Sequence, residues 1–179
     1  MSNVLIGIIG VILFIGLALA GALFLGPRFQ ESTNNSKASA AVQAVAQISS
    51  AANMANVQGG TAVPAGSTAL ATTGVNSLQF NGFLKSVPSN PTTAGLAPIF
   101  VSTAGAVTGD AGYVVMELGD NHTKICNAIA RQSGQTTSDT TPAVAGITGL
   151  PASPSGCFTY SGTTTAPFTA TKSYAFARI

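Results

Sequence analysis

The pattern of apolar and polar positions changes character three times along the chain. Residues 4–26 (VLIGIIGVILFIGLALAGALFLG) are apolar without a charge, so a helix formed here has no polar face. At 1.5 Å rise per residue it spans roughly 30–35 Å, enough to cross a bilayer core. Val4, Leu5, Ile8, Ile12, Phe14, Leu17, Leu19 and Phe24 are among its large side chains. Gly7, Gly10, Gly16, Gly21 and Gly26 are scattered through it, and Pro27 follows. Each glycine weakens a helix by roughly 1 kcal/mol, and proline removes a backbone donor. Membrane helices tolerate both, and small residues let neighbours approach closely. The alternative is a helix that unwinds locally at Gly21, Gly26 and Pro27 when its surroundings change.

The second stretch is amphipathic. Ser32 or Thr33 is positioned to cap a renewed helix if Pro27 breaks the first. Ala41, Val45, Ile48, Ala52 and Ala55 then recur at helical spacing, while Gln43, Gln47, Ser50 and Asn53 fall largely elsewhere. This face needs a partner, and Gly59-Gly60 is the predicted stop.

The third stretch follows an uncharged, turn-rich linker, TAVPAGSTALATTG. SLQFNGFL, APIFVST, YVVMEL, CFTYS and SYAFARI are rich in β-branched and aromatic residues and bounded by Gly, Pro, Asn or Ser, so they predict strands. Between the third and fourth, GDNHTKICNAIARQSG predicts a short helix with Asp120 as cap, Ile125 and Ile129 as apolar stripe, and Gly134 as stop. TTSDTTPAVAGITGLPASPSG then reads as a long polar loop. An amphipathic helix laid on an antiparallel sheet is an α+β arrangement.

Charge changes the picture more than size does. The chain has 179 residues, of which only 7% are charged, with a formal net charge of +2. A typical domain is about a quarter charged, so this chain is built to be surrounded by copies of itself or by lipid. Its scattered lysines and arginines do not form the concentrated basic surface a nucleic-acid binder needs. The two cysteines, Cys126 and Cys157, read as a disulfide if the chain is exported, and otherwise as two separate buried thiols. One histidine and no Cys-x-x-Cys spacing argue against a metal site, and no cofactor is expected.

Candidate chemistry is sparse. Glu117, Asp120 and His122 lie close in sequence, but a strand-to-helix turn accounts for them. No G-x-S-x-G, H-E-x-x-H or phosphate-binding loop occurs, so no catalytic residues are assigned and an enzyme is not expected. Asn34-Asn35-Ser36 and Asn121-His122-Thr123 match the N-glycosylation acceptor pattern, a match that is frequent by chance.

Two observations bear on topology. The first basic residue, Arg28, follows the apolar run, which alone would hold the rest of the chain in the cytoplasm. The cysteine pair favours the outside. Both fit if a basic leader once preceded Met1 and was removed after insertion.

In its order of parts the chain resembles a type IV pilin of the type IVb group, of the toxin-coregulated and conjugative thin-pilus kind. The resemblance is carried by the uncharged segment from Met1, by its continuation SKASAAVQAVAQISSAANMANVQGG, and by YVVMELGDNHTKICNAIARQSG leading into a Cys126–Cys157-bounded region. It implies an α+β pilin fold with three parts: an apolar helix at 1–27, its amphipathic continuation at 28–58, and a globular domain at 59–179. That domain would contain an αβ-loop at 59–77 and the disulfide-bounded region 126–157. It implies that Met1 is the N-methylated mature N-terminus left by a prepilin peptidase. The apolar residues from Val4 to Phe24 would form a filament core, and Ala41, Val45, Ile48 and Ala52 would face the sheet.

The implied partners are identical subunits in a helical filament, the inner membrane before assembly, and the pilus assembly machinery. The implied location is an extracellular bacterial pilus serving adhesion, aggregation, motility or DNA transfer. One departure stands out: the family's usual fifth-position glutamate, thought to pair with a neighbour's N-terminal amine, is Leu5 here. Asn3 and main-chain oxygens are the expected substitutes, because a buried ammonium without a partner costs several kcal/mol. Leu5 also points to a minor pilin or a secretion pseudopilin. A non-polymerising, single-pass membrane-anchored binding protein is a further alternative.

Overall fold

The computed structural model describes residues 2–58, 82–96, 98–101, 112–135, 143–144, 153–163 and 168–179. Helix α1 runs over Ser2–Val57 with Pro27 inside it. Of the two arrangements the sequence leaves open, one long helix or a break at Pro27 with a renewed start capped by Ser32 or Thr33, the first is the one formed. Thr33 lies within the helix, its Oγ1 donating back to the Phe29 carbonyl at 2.9 Å. A break would orphan about four donors and four acceptors, more than the roughly 3 kcal/mol that one internal proline costs. The helix also ends at Val57, two residues before the expected stop. Gly59-Gly60 and the expected αβ-loop at 59–77 lie outside the described residues.

The chain divides into two compact units, Met1–Asn34 and Asn35–Ile179. In the second unit, strands β1 (Ile99–Val101), β2 (Tyr113–Glu117), β3 (Ala143–Val144), β4 (Ser155–Tyr160) and β5 (Ser173–Arg178) form one sheet, with helix α2 at His122–Gln132. The sheet order is β1-β2-β5-β4-β3. Neighbours from β1 to β4 are antiparallel, but β3 pairs parallel to β4. A wholly antiparallel sheet with an unstructured loop between α2 and β4 was expected; Ala143–Val144 instead supplies a two-residue edge strand. Two residues forming a ladder with one neighbour leave no periodicity to read.

SLQFNGFL contributes no strand among its described residues. Gly82 has φ 80°, and the following Phe83 and Leu84 pack on the helix-side core. Downstream, Pro88 and Pro91 lack the backbone donors a ladder requires. This segment is fastened by Asn90, whose Nδ2 donates to the Glu117 carbonyl at 2.7 Å. Asn90 Oδ1 accepts from the Thr92 amide at 2.9 Å and hydroxyl at 2.6 Å. The Gly119 amide donates to Thr92 Oγ1 at 3.2 Å, closing the clamp.

At Gly119 a side chain has no room, since a Cβ would run into Thr93 Oγ1 and the Thr92 carbonyl. Gly119→Ala should therefore destabilise the domain by about 1–3 kcal/mol through overpacking. A fall in the urea midpoint at unchanged slope would register it.

The sheet is apolar on both faces. Val114, Met116, Ala175, Ala177 and Cys157 join the core beneath α1 and α2, while Tyr113, Val115, Tyr174, Phe176 and Phe158 join a second cluster on the opposite face. Period-two alternation sorts these neighbours to opposite sides. Small side chains meet small ones on the helix side. Ala38, Ala41, Ala44, Ala51, Ala52 and Ala55 of α1 are buried in the same core as Ala175 and Ala177.

Candidate functional site

The large side chains from Val4 to Phe24 are exposed on the surface of α1. Val4, Leu5, Ile8, Ile12, Phe14, Leu17, Leu19 and Phe24 are 56–82% exposed. Gly21 and Gly26 lie in the same helix with open space around them, and Pro27 is accommodated in it. Fully burying one such large side chain is worth about 1.5–3 kcal/mol, so eight of them left in water make this an unfavourable free surface. Among the described residues, α1 is the one helix long and apolar enough to cross a membrane, and its apolar window is not buried. Lipid or further apolar helices satisfy such a surface equally well. Arg28 and Glu31 mark its polar limit, with Nη1 and Oε2 3.7 Å apart and both side chains exposed. Met1 lies outside the described residues.

The continuation of α1 is one-sided. Ala41, Val45, Ile48 and Ala52 have 0% exposure, and Gln43, Gln47, Ser50 and Asn53 are exposed. The i, i+3, i+4 spacing produces this division directly. Ser49 adds a polar tie, donating from Oγ to the Arg178 carbonyl at 2.6 Å. Ser39 and Gln132 tie α1 to α2, with Gln132 Nε2 donating to Ser39 Oγ at 3.2 Å.

Cys126 and Cys157 are disulfide-bonded, with Cα atoms 5.4 Å apart and both residues fully buried. The bond joins α2 to β4, where Cys157 stands in register with Ala175 of β5, and Ala175 with Met116 of β2. Gln135 spans the same junction: its Oε1 accepts from the Cys157 amide at 3.0 Å and its Nε2 donates to Ser153 Oγ at 3.2 Å. α2 ends at Gly134, φ 71°, with the Gln135 amide donating back to the Ala130 carbonyl at 2.9 Å. That six-to-one bond is the Schellman ending expected of a glycine stop.

The start of α2 differs from expectation. The N-cap is Asn121, not Asp120, and no side chain caps it. Asn121 takes a left-handed φ of 61°, which turns the chain out of β2 within four residues and leaves Asp120 exposed in the turn. Asparagine bears this conformation better than most residues. The acceptor-like Asn121 and Thr123 are exposed, whereas the Asn34-Asn35-Ser36 match sits inside α1.

Glu117 and His122 take different hydrogen-bond partners, and Asp120 is exposed in the turn between them. Glu117 Oε2 accepts from the Tyr174 hydroxyl at 3.2 Å, and Tyr174 Oη accepts from the Thr169 amide at 2.7 Å. Burial, above all, pushes the Tyr174 hydroxyl's pKa above its usual value. His122 instead meets Ser173, its Nδ1 lying 3.0 Å from the buried Ser173 Oγ. Sequence spacing gave no sign of this pairing, because the two residues are 51 positions apart. Among the described residues no three His, Cys, Asp or Glu side chains are grouped to hold a metal.

The described residues thus comprise an exposed apolar helical segment and a disulfide-joined α+β domain. The chain matches no protein-family model, no curated protein and no solved structure, so any functional assignment rests on these residues alone.

Proposed function

We propose that this protein is the structural subunit of a type IVb-like pilus, polymerising through the apolar part of α1. The carrying observation is the exposure of every large side chain from Val4 to Phe24 in a helix whose continuation is buried against a disulfide-joined sheet domain. A segment that suits lipid and bundled helices alike can be held in the inner membrane and then transferred to a filament core. That transfer exchanges one apolar setting for another, so close approach at Gly7, Gly10, Ala18 and Ala22 has to supply the association energy. Gly21, Gly26 and Pro27 are where the helix would lengthen under load. The domain would tile the filament surface, with the 126–157 region facing neighbours or the exterior. Identical subunits, the inner membrane, a prepilin peptidase and the assembly machinery are the proposed partners.

A second reading, a minor pilin or secretion pseudopilin, is favoured by Leu5, which leaves a neighbour's N-terminal amine without a carboxylate. Electron microscopy and mass spectrometry of material sheared from cells separate the two. Long filaments containing a methylated peptide that begins at Met1 are expected for the major subunit. An Asn3→Ala variant should then lower filament yield at unchanged expression. Retention of all the protein in the membrane fraction, with no filaments outside, overturns the major-pilin proposal.

A further inference from the structure

Several polar groups with no part in the proposed assembly gather at one end of the sheet, where β2 ends, α2 starts and β5 begins. His122, the chain's one histidine, is the first residue of α2. Its Nδ1 lies 3.0 Å from Ser173 Oγ and 3.4 Å from the hydroxyl of neighbouring Thr123. Ser173 has 0% exposure, and its Oγ lies 2.9 Å from the hydroxyl of Thr159, its register partner in β4. The Ser173 carbonyl accepts from the Leu118 amide at 2.9 Å, so the same residue also secures the turn that leads into α2.

We infer that His122 is an acid-sensitive latch whose neutral imidazole fastens the first turn of α2 to Ser173, and whose protonation loosens that turn from the sheet. In its Nε2–H tautomer, the one the latch uses, the neutral imidazole leaves Nδ1 free to accept the buried Ser173 hydroxyl proton. Protonation puts a hydrogen on Nδ1, so the Thr159–Ser173–His122 hydroxyl chain must reverse its direction of donation. It also places a positive charge in the first helical turn, where the helix dipole opposes it.

The charged groups around the ring divide. Lys172, just before β5, opposes protonation, and Glu117 at the end of β2 favours it; Asp120 in the turn and Lys124 in α2 flank it in sequence. Glu117 is already engaged by the Tyr174 hydroxyl. Burial first, and Lys172 second, hold the His122 pKa below its ordinary 6.5 despite Glu117.

The sign follows from proton linkage. The unfolded chain takes up the proton before the folded one does, so the latch's stabilisation is complete above pH 6.5. It is lost as pH falls from 6.5 through the folded value, and nothing further is lost below that. The loosening stays local because Cys126, the next turn along α2, is bonded to Cys157. The latch requires only the sheet domain and stands independently of the pilus reading.

The test uses the oxidised full chain in detergent, comparing amide-exchange protection at about pH 8 and about pH 5, corrected for intrinsic rates, across residues 118–125. Protection in the parent should fall severalfold on acidification. In His122→Asn, which offers an amide oxygen near the Nδ1 position and does not titrate, it should not change with pH. The His122 ring signals should titrate below 6.5, and Ser173→Ala should move that midpoint upward by removing the donor that favours the neutral ring. Titration of His122 at or above 6.5, or equal loss of protection in His122→Asn, overturns the latch. If His122→Asn does not fold, the parent and Ser173→Ala titrations decide by themselves.

Discussion

Phe158→Ala should cost the domain about 3–5 kcal/mol, the range for emptying a buried aromatic site. Phe158 is fully buried and central to the outer face of the sheet. Its ring stacks on Tyr174 at 5.6 Å and meets Phe168 edge-on at 5.8 Å and Phe176 at 5.9 Å. Such ring pairs add about 0.5–1.5 kcal/mol each beyond the area they bury, so the upper part of the range is expected. Tyr160 and Phe168 stack with each other at 5.1 Å, so neighbouring rings hold one another in place and cannot readily collapse into the vacancy. Phe158→Leu, which retains most of the volume, should cost much less. Urea unfolding followed by circular dichroism measures both. A loss below about 1 kcal/mol for the alanine variant would mean that this face is not the packed second core the ring geometry describes.

Removal of the disulfide, in a Cys126→Ala/Cys157→Ala double variant, should cost about 3–4 kcal/mol on the chain-entropy estimate for a loop of this length. For a domain of this size that corresponds to a melting temperature lower by roughly 10 °C. The sulfurs are fully buried, and Cys157 lies in the core row with Ala175 and Met116. Alanine leaves a small apolar void there rather than a stranded polar group. The Gln135 bridge to the Cys157 amide and to Ser153 remains, so the variant should still be folded at room temperature. Differential scanning calorimetry of the oxidised parent and the double variant makes the comparison. A shift under about 2 °C would show that Gln135 and the strand ladder already restrain the region and that the covalent link adds little.

The sequence reading and the structure agree where one element faces one environment. Residues 4–26 have no polar side, and none of their large side chains is buried. From Ala41 to Ala55 the apolar residues recur at helical spacing, and Ala41, Val45, Ile48, Ala52 and Ala55 are buried accordingly. The glycine at 134 ends α2 as its position implied. These signals are local, so composition and period contain them.

Open choices and misreadings fell where a distant segment chose between local options. Pro27 leaves one helix or two open by local propensity, and the continuous helix forms because a break would orphan more backbone groups than it relieves. Asp120 is a good cap by residue type, but the sharp exit from β2 gives the position to a left-handed Asn121. SYAFAR and YVVME lack apolar–polar alternation because both faces of their strands are buried.

By itself the sequence determined the apolar helix, the buried face of its continuation, and the places of β1, β2, α2, β4 and β5. Tertiary structure alone decided that Ala143–Val144 pairs parallel to β4, that six aromatic rings form a second core, and that His122 meets Ser173. Helical period and chain composition are properties of neighbouring residues. Sheet order, register and long-range hydrogen bonds depend on which segments close on one another, and no local pattern carries that choice.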